Sequence, residues 1–331
     1  MRTVIIGAGA IGSIAGCYLA KAGRKTHLID SNTEIVRKIN RNSLELVSQT
    51  GQFIVKIKAS GSILDFHWEP DDFILLCVKT QHSRVAIEQA SQVAGEETPI
   101  CCFQNSVQNE AFASQKFKYV YGGIVRYDGT YLEPGKVYHT GGNSVGVGVF
   151  PSGPIDDKLL SLIHEFKDTG ISLYCLEDLM ASKYAKLIRN MANAPCAIMG
   201  LTEPELFNIP EARRLFDDLL EESKRVLEVA GIKYDKSLAA FEPLDIDSIP
   251  TETPKELQVI CSTHQDLILH RVTSEVDYLN GEIVALGKRY GVPTPINELM
   301  VKLVHDMVSR GETPGTYSVS NIRNILGVTT L

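Results

Sequence analysis

The chain has 331 residues, of which 44% are hydrophobic and 22% charged, and its net charge is −7. This length favours two domains, and the composition is that of a folded globular protein. The acidic balance disfavours a general nucleic-acid or anionic-membrane binder, because both partners attract basic surfaces. We therefore expect neither nucleic acid nor a membrane as a partner.

The seven cysteines form no C-x-x-C pair and no zinc-finger spacing, so we expect reduced thiols and no metal site. Cys101 and Cys102 lie in an apolar run and are predicted to be buried strand residues. No run of about 20 apolar residues indicates a membrane span. A strand follows Met1 directly, without the pattern of a secretory leader, so a cytoplasmic protein is expected.

The first element is a β-branched run at residues 3–6, followed by GAGAIG, a helical segment and the strand KTHLID. Strand, glycine turn, helix and strand predict a Rossmann-type dinucleotide site. Gly7 permits the tight turn, Gly9 allows a pyrophosphate to approach, and Gly12 allows close helix packing, while the helix N-terminus offers N–H groups. The alternative is a glycine turn that binds nothing. The candidate cofactor-binding residues here are Gly7, Ala8, Gly9, Ala10, Ile11 and Gly12.

Asp30 ends the second strand, 18 positions after Gly12. A carboxylate there suits the ribose hydroxyls of NAD(H) and repels the additional phosphate of NADP(H). The next residues, Ser31 and Asn32, are not basic, so this stretch favours NAD(H). The alternative is that Asp30 caps the following helix.

Two polar residues follow the next predicted parallel strands. Lys79 comes after the strand at 72–78, and Asn105 comes after the strand at 99–103. Ligands of open parallel sheets bind at the carboxyl ends of the strands, so both residues are candidates for contact with cofactor or substrate. The alternatives are a solvated lysine and a turn asparagine.

The remaining segments of the first half are predicted to complete an α/β domain. Helices are expected at 81–93 and near 107–114, and the alternating residues of 119–150 predict antiparallel strands. A helix at 156–168 and a strand at 171–176 complete a dinucleotide-binding domain over residues 1–177.

From residue 178 the pattern is helical, which predicts an all-α second domain over 178–331. Residues 233–253 are expected to form a long surface loop, and the last twenty residues an irregular or mobile tail. Exposed helix faces are candidates for pairing two subunits into a homodimer. The predicted helices are 178–199, 210–230, 254–272, 274–290 and 295–309.

The segment KYAKLIRNMANAP, residues 183–195, carries three polar residues on one predicted helix face: Lys186, Asn190 and Asn193. Pro195 is expected to interrupt the hydrogen bonding of this helix. A lysine flanked by amides suits a polar pocket, where amides bind carbonyl or carboxylate oxygens and the ammonium donates a proton. A solvated helix face is the alternative.

A second candidate stretch, residues 262–281, is bracketed by Ser262 and Glu275. Glu275 follows a Thr-Ser helix-start signal and precedes an apolar run. The alternative for Glu275 is a charge that stabilises a helix N-terminus.

The sequence resembles the ketopantoate reductase (2-dehydropantoate 2-reductase) family. The resemblance rests on GAGAIG, VKT at 78–80, QN at 104–105, K-x-x-x-N at 186–190 and SEVDYLNG at 274–281. It implies a Rossmann-type α/β domain followed by an all-α domain like the C-terminal domain of 6-phosphogluconate dehydrogenase, with the active site in the cleft between them. It also implies reduction of a 2-keto acid by NADPH, on the pantothenate route to coenzyme A.

Position by position, the resemblance implies that Lys186 is the catalytic lysine and Glu275 the active-site glutamate. Asn190 and Ser262 would bind substrate, and Lys79 and Asn105 would lie on the cofactor side. The chain departs from the family pattern at four points. Ala194 stands where a second asparagine is expected, Ser106 replaces a glycine, one residue is inserted between Gln265 and Glu275, and Asp30 replaces basic character. Asn193, one residue earlier than Ala194, is therefore a candidate substrate-binding residue.

Two alternatives to ketopantoate reduction remain at this point. One is a related dehydrogenase for another 2-keto acid or a 3-hydroxy acid, for which the same fold and lysine would serve. The other is a redox sensor that binds the dinucleotide without turnover. The pairing of Lys186 with Glu275 disfavours the sensor, which needs no proton donor.

Overall fold

A computed structural model describes residues 1–240, 261–270 and 274–327 of the chain. The described residues form two compact units, of which the first is Met1–Lys183 and the second begins at Tyr184. The domain ranges 1–177 and 178–331 stay a prediction. The segments 241–260, 271–273 and 328–331 lie outside the described residues, so most of the expected 233–253 loop and the start of the expected 254–272 helix do too.

The first unit is built on a mixed sheet of ten strands within the described residues, in the order β4-β3-β9-β8-β7-β6-β1-β2-β5, with β10 paired to β9. Its strands are β1 Arg2–Ile6, β2 Thr26–Ile29, β3 Leu44–Ser48, β4 Gly51–Val55, β5 Lys58–Ser60, β6 Asp72–Leu76, β7 Ile100–Cys102, β8 Val120–Glu133, β9 Lys136–Val149 and β10 Ser172–Cys175.

Strands β5, β2, β1, β6, β7 and β8 pair in parallel, whereas the long strands β8 and β9 pair antiparallel, as the turn signals predicted. The chain runs from β1 to its neighbour β2 and later returns to β6 on the other side of β1. This reversal is a topological switch point, and a crevice forms there at the carboxyl ends of the strands. The expected Rossmann-type unit is confirmed.

Helices cover both faces of the sheet because successive strand residues point to opposite sides. Ile5, Leu75 and Cys101 pack with the first helix in one core, and Ile6, Leu76 and Cys102 lie in another core with the third and fourth helices. Both cysteines are buried and unpaired, as expected. The helices of this unit are α1 Ala10–Lys21, α2 Thr33–Asn42, α3 Thr80–Ala94, α4 Asn109–Ala113 and α5 Asp157–Glu165.

The described part of the second unit contains helices and no strand, which confirms the expected all-α class. Helix α6, Leu179–Asn190, begins in the first unit and ends in the second. The others are α7 Asn193–Met199, α8 Glu203–Asn208, α9 Pro210–Val229, α10 Ser262–Ile268, a 3₁₀ helix Glu275–Tyr278, α11 Asn280–Tyr290, α12 Pro295–Arg310 and α13 Val319–Ile325.

The single helix expected at 178–199 is wrong, since the structure has two helices with a break at Met191 and Ala192. Pro195 has no N–H group to donate to the carbonyl of Met191, four residues earlier, so the hydrogen-bond ladder stops there. The N–H of Met191 bonds instead to the carbonyl of Ile188, at 3.2 Å, in a tighter turn. The break lies upstream of the proline because the missing donor affects the preceding turn.

The irregular tail expected for the last twenty residues is also corrected, because α13 forms there. Ser318 accepts from the backbone N–H of Asn321, and the side chain of Asn321 accepts from the N–H of Ser318. This reciprocal cap satisfies two backbone donors at the start of the helix. None of the described helices is both long enough and apolar enough to cross a membrane.

One histidine of the sheet predicts a pH dependence of stability. His27 Nε2 lies 2.8 Å from Ser60 Oγ on the neighbouring strand β5. Burial, with the charges of Arg2 and Lys58, lowers the pKa of His27 to about 4. In the unfolded chain the pKa of histidine is about 6.5, so between these values the unfolded state binds a proton that the folded state does not. The free energy of unfolding therefore decreases as pH falls through this window.

We expect a His27→Gln variant to lose less stability than the wild type between about pH 7 and about pH 4.5. Urea unfolding at both pH values measures the difference. The exposed His82 on α3 carries the same substitution as a control for the removal of one histidine. Equal losses in the wild type and in His27→Gln would contradict the assignment.

Candidate active site

The glycine turn between β1 and α1 has no room for side chains at two of its three glycines. A Cβ at Gly7, where φ is +106°, would lie 2.7 Å from the backbone N of Val78. A Cβ at Gly12 would lie 2.0 Å from the carbonyl oxygen of Gly7. A Cβ at Gly9 would meet no atom of the described residues within 4 Å, apart from its own chain neighbours. The turn is thus closed towards β6 and open at Gly9, where α1 presents its first N–H groups, as a pyrophosphate requires.

Asp30 is tied to this turn by its carboxylate. Its Oδ2 accepts from the backbone N–H of Ala8 at 2.7 Å, and its Oδ1 accepts from the N–H of Asn32 at 2.9 Å. The helix-capping alternative for Asp30 is wrong, because Asn32 is the residue that caps α2. The structure therefore holds a negative charge beside the glycine turn, at the carboxyl end of β2.

The loops after β6 and β7 are joined by buried side chains. Gln104 Nε2 donates to Ser83 Oγ at 2.8 Å and to the carbonyl of Val78. Asn109 Nδ2 donates to the carbonyl of Asn105 at 2.8 Å, and Thr80 Oγ1 lies 3.4 Å from the same carbonyl. Lys79 and Asn105 are both partly exposed on these two loops. Both therefore lie at the carboxyl ends of adjacent parallel strands, as the sequence predicted.

Ser106 adopts a left-handed backbone, with φ of +75°. This region favours glycine, the residue that the family resemblance implies here. The serine hydroxyl is buried and bonds to the N–H of Gln108 and to Asn109 Nδ2, each at 3.3 Å. These bonds offset part of the backbone strain, which explains how a serine replaces the glycine.

In the second unit, Asn193 and Ser262 are brought together. Asn193 Nδ2 lies 3.4 Å from Ser262 Oγ, although they are far apart in sequence. The thiol of Cys261 donates to the carbonyl of Asn193 at 3.3 Å, and burial raises its pKa to about 12, so it remains a protonated donor. Helices α7 and α10 thereby present an amide and a hydroxyl side by side.

Lys186 and Asn190 both belong to α6, one turn apart, and Glu275 begins the 3₁₀ helix. Asn190 is 8% exposed, and its Nδ2 has no hydrogen-bond partner among the described residues. A buried amide donor of this kind suits a carbonyl or carboxylate oxygen of a substrate. Helix α6 ends at Asn190 and Asn193 starts a new helix, so the expectation that Asn193 continues the face of Lys186 stays a prediction.

A group of three acidic residues, Glu69, Asp71 and Asp72, has the spacing of metal ligands. Basic groups neutralise these carboxylates, however. Arg2 lies 2.6 Å from Asp72 and 2.8 Å from Glu69, and the amino group of Met1 lies 3.2 Å from Asp71. Bonding to Asp72 raises the pKa of Arg2. This group is an ion-pair cluster at the start of β1.

Two family models match the chain: "Ketopantoate reductase PanE/ApbA" over residues 3–152, and the C-terminal model of the same family over residues 178–308. Together they cover most of the chain. The chain belongs to the ketopantoate reductase family.

Relatives of known function are similar over nearly the whole length of this family member. A 2-dehydropantoate 2-reductase of Aquifex aeolicus is 27% identical over 314 residues, which are 92% of this chain and 96% of the relative. One of Pyrococcus abyssi is 29% identical over 308 residues, or 92% and 97% of the two chains.

Solved structures that are similar to this chain have the same fold. A family ketopantoate reductase of Ralstonia eutropha JMP134 superposes with a TM-score of 0.80 at 26% identity, covering 94% of this chain and 99% of that one. A ternary structure of D-mandelate dehydrogenase with NADH and anilino(oxo)acetate has a TM-score of 0.79 at 25% identity, with the same coverage.

Membership of the ketopantoate reductase family makes the protein an oxidoreductase with a nicotinamide dinucleotide as cofactor. The residues present fit such a cofactor, because the turn is open at Gly9 and the Asp30 carboxylate lies beside it. When bound, the reduced cofactor supplies a hydride to a carbonyl carbon. Gly9 and the first turn of α1 would hold the pyrophosphate, and Asp30 would hold a ribose.

Three buried polar residues of this ketopantoate reductase family member were not predicted from the sequence. Lys183, Glu110 and Asn109 are buried around the loop after β7, yet none follows a strand directly or belongs to a glycine motif. A signal was present for Lys183, which lies one turn before Lys186 among apolar helix residues. Its partner could not be identified, because no local spacing links helix α6 to α4.

The contrast between Gly9 and Gly12 gives a matched test of the dinucleotide site. We expect Gly9→Ala to fold with near-wild-type stability and to weaken NADH binding by about tenfold or more, because the methyl group occupies the space open to the pyrophosphate. Gly12→Ala should instead destabilise the fold, because its methyl group collides with the turn. Fluorescence titration with NADH and thermal melting separate the two effects. Wild-type NADH affinity in Gly9→Ala would refute this position for the cofactor.

Proposed function

We propose that the protein reduces 2-dehydropantoate to pantoate, with NADH as the preferred hydride donor and Lys186 as the proton donor. The match of both family models is the observation that carries the proposal. The second model covers residues 178–308, and so it includes the candidate residues Lys186, Asn190, Ser262 and Glu275. The curated relatives matched over most of the chain are 2-dehydropantoate 2-reductases.

The chemistry assigned to Lys186 follows from charge. As a hydride reaches the carbonyl carbon, negative charge develops on the carbonyl oxygen. An ammonium group beside that oxygen stabilises the charge and then donates the proton that completes the hydroxyl group. Glu275 would orient the lysine or accept a hydrogen bond from a substrate hydroxyl. Glu275 is only 6% exposed, so the surrounding residues restrict its side chain.

The substrate carboxylate needs hydrogen-bond donors. The buried Nδ2 of Asn190 is one candidate, and the neighbouring Asn193 and Ser262 are two more. We assign these three side chains to the carboxylate and hydroxyl groups of the substrate. Lys79 and Asn105 are assigned to the cofactor side, and Asn105 also to the substrate.

The preference for NADH rests on Asp30. Its carboxylate is held next to the glycine turn by the N–H groups of Ala8 and Asn32. It can accept hydrogen bonds from ribose hydroxyls, but it repels a phosphate at the same place. The ternary structure of D-mandelate dehydrogenase with NADH and anilino(oxo)acetate, a 25% identical neighbour, supports the same preference for NADH.

The first test removes the ammonium group. Lys186→Ala is expected to lower kcat for ketopantoate reduction by about 10²- to 10⁴-fold, with little change in NADH affinity or melting temperature. Lys224→Ala, at an exposed position of α9, is the control and should keep the wild-type kcat. Steady-state assays at saturating NADH measure the effect. Turnover close to wild type in Lys186→Ala would disprove its assignment as proton donor.

The second test concerns the cofactor. Asp30→Asn keeps an oxygen that can accept from Ala8 but removes the charge, so the ratio of kcat/KM for NADPH to that for NADH should rise by about tenfold or more. Asp65→Asn, an exposed position of the same unit, is the control. The preference for NADH is wrong if the wild type favours NADPH or if the ratio is unchanged in the variant.

A second candidate function is reduction of another 2-keto acid, and the position of Asn193 favours it. Ala194 occupies the place of an expected asparagine, and Asn193 bonds to Ser262 instead, which changes the shape offered to a substrate side chain. Turnover of ketopantoate, pyruvate and phenylglyoxylate, each with NADH, distinguishes the two candidates. Tight NADH binding without turnover of any keto acid would support a redox sensor.

A further inference from the structure

A buried ion pair lies beneath the loop that carries Asn105. Lys183 Nζ on α6 is 2.6 Å from Glu110 Oε1 on α4, and the two side chains are 2% and 0% exposed. The same ammonium group donates to the carbonyl oxygen of Gln104 at 3.0 Å. Lys183 therefore connects helices α6 and α4 with Gln104, the residue that immediately precedes Asn105. All of these residues belong to the first unit.

The strand β8 leaves space for this pair by having glycine at position 122. A Cβ on Gly122 would lie 2.7 Å from Glu110 Oε1 and 2.8 Å from Leu179 Cδ2. Gly122 has no left-handed backbone that would by itself require glycine. The constraint at this position is therefore the volume of the buried carboxylate and of the first turn of α6.

Burial makes this pair a poor source of stability. Two charges removed from water lose hydration, and their attraction in the interior offsets this loss only in part, so apolar side chains of similar volume often serve equally well. An apolar side chain cannot, however, donate a hydrogen bond to the carbonyl of Gln104. The distinctive effect of the pair is to fix that peptide group.

Buried donors hold the peptide groups on both sides of Asn105. The carbonyl of Gln104 accepts from Lys183, and the carbonyl of Asn105 accepts from Asn109 Nδ2 at 2.8 Å. The side chain of Gln104 is bonded to Ser83 on α3. Gln104 and Ser106 are buried, whereas Asn105 between them is partly exposed. The partly exposed side chain of Asn105 thus extends from a loop whose backbone carbonyls are fixed by buried hydrogen-bond donors.

We propose that Lys183 and Glu110 are positioning residues that fix the Gln104–Asn105 peptide group and thereby orient the Asn105 side chain at the dinucleotide site. Neither residue is assigned contact with cofactor or substrate. The inference rests on the proposed function for the part played by Asn105. Displacement of a positioned group by about 1 Å is enough to lower turnover by up to about 100-fold.

The test replaces both charges together, because removal of one would leave the other buried and unpaired. The double variant Lys183→Met/Glu110→Met should fold and melt within about 4 °C of the wild type. We expect kcat on the best keto acid substrate to fall by about 10- to 100-fold. The control is Lys118→Met/Glu97→Met, which removes an exposed ion pair of the same unit and should leave kcat unchanged.

A double-mutant cycle with Asn105→Ala distinguishes positioning from a general structural effect. If the ion pair acts through Asn105, the Lys183→Met/Glu110→Met replacement should change kcat by less than about twofold when Asn105 is already alanine. Losses that multiply instead would overturn the proposal, as would an unchanged kcat in the double variant. NADH affinity, measured by fluorescence in the same variants, gives a second cycle that needs no substrate.

If the double variant does not fold, Gly122→Ala provides the same cycle, because its methyl group displaces the Glu110 carboxylate without removing a charge. If neither variant folds, the pair is required for stability and the proposal fails. Failure of the proposed function has a different signature, namely a wild type that does not turn over ketopantoate. The cycle is then run on the keto acid that is turned over, or on NADH affinity.

Discussion

The close approach of the Gly7 turn to the end of β6 is the constraint on which the dinucleotide site depends. The backbone of Val78 and the carbonyl of Gly7 occupy the places where side chains of residues 7 and 12 would lie. Only with glycine at both positions can α1 start next to two central strands. Its N–H groups then point to the crevice at the switch point of the sheet, where the cofactor of such folds binds.

Around this backbone site, the first unit separates its apolar and polar groups. Apolar residues fill the two faces of the sheet, whereas one group of buried polar residues lies at the carboxyl ends of β6 and β7. There Gln104, Asn109 and Lys183 each donate a hydrogen bond to a backbone carbonyl. These bonds satisfy groups that would otherwise be buried at a cost, and they hold the loops that carry Lys79 and Asn105.

The second unit uses the same kind of interaction to join helices. Asn280 Nδ2 donates to Asn297 Oδ1 at 3.0 Å, and Asn297 donates to Glu222 at 2.9 Å through both its backbone and its side chain. Helices α11, α12 and α9 are thereby connected in a buried polar chain. Asn280 belongs to the SEVDYLNG segment on which the family resemblance rests, so this part of the motif joins helices of the second unit.

The local patterns of the sequence determined the class of each unit, the glycine turn, the positions of Lys79 and Asn105 after their strands, and most helices. These features depend on residues a few positions apart, so periodicity and spacing reveal them. The tertiary structure decided what depends on distant partners. It ended α6 at Asn190, placed Asn193 beside Ser262, and paired Lys183 with Glu110. Contacts between distant segments cannot be predicted from local spacing, because the packing of the whole chain determines which side chains come into contact.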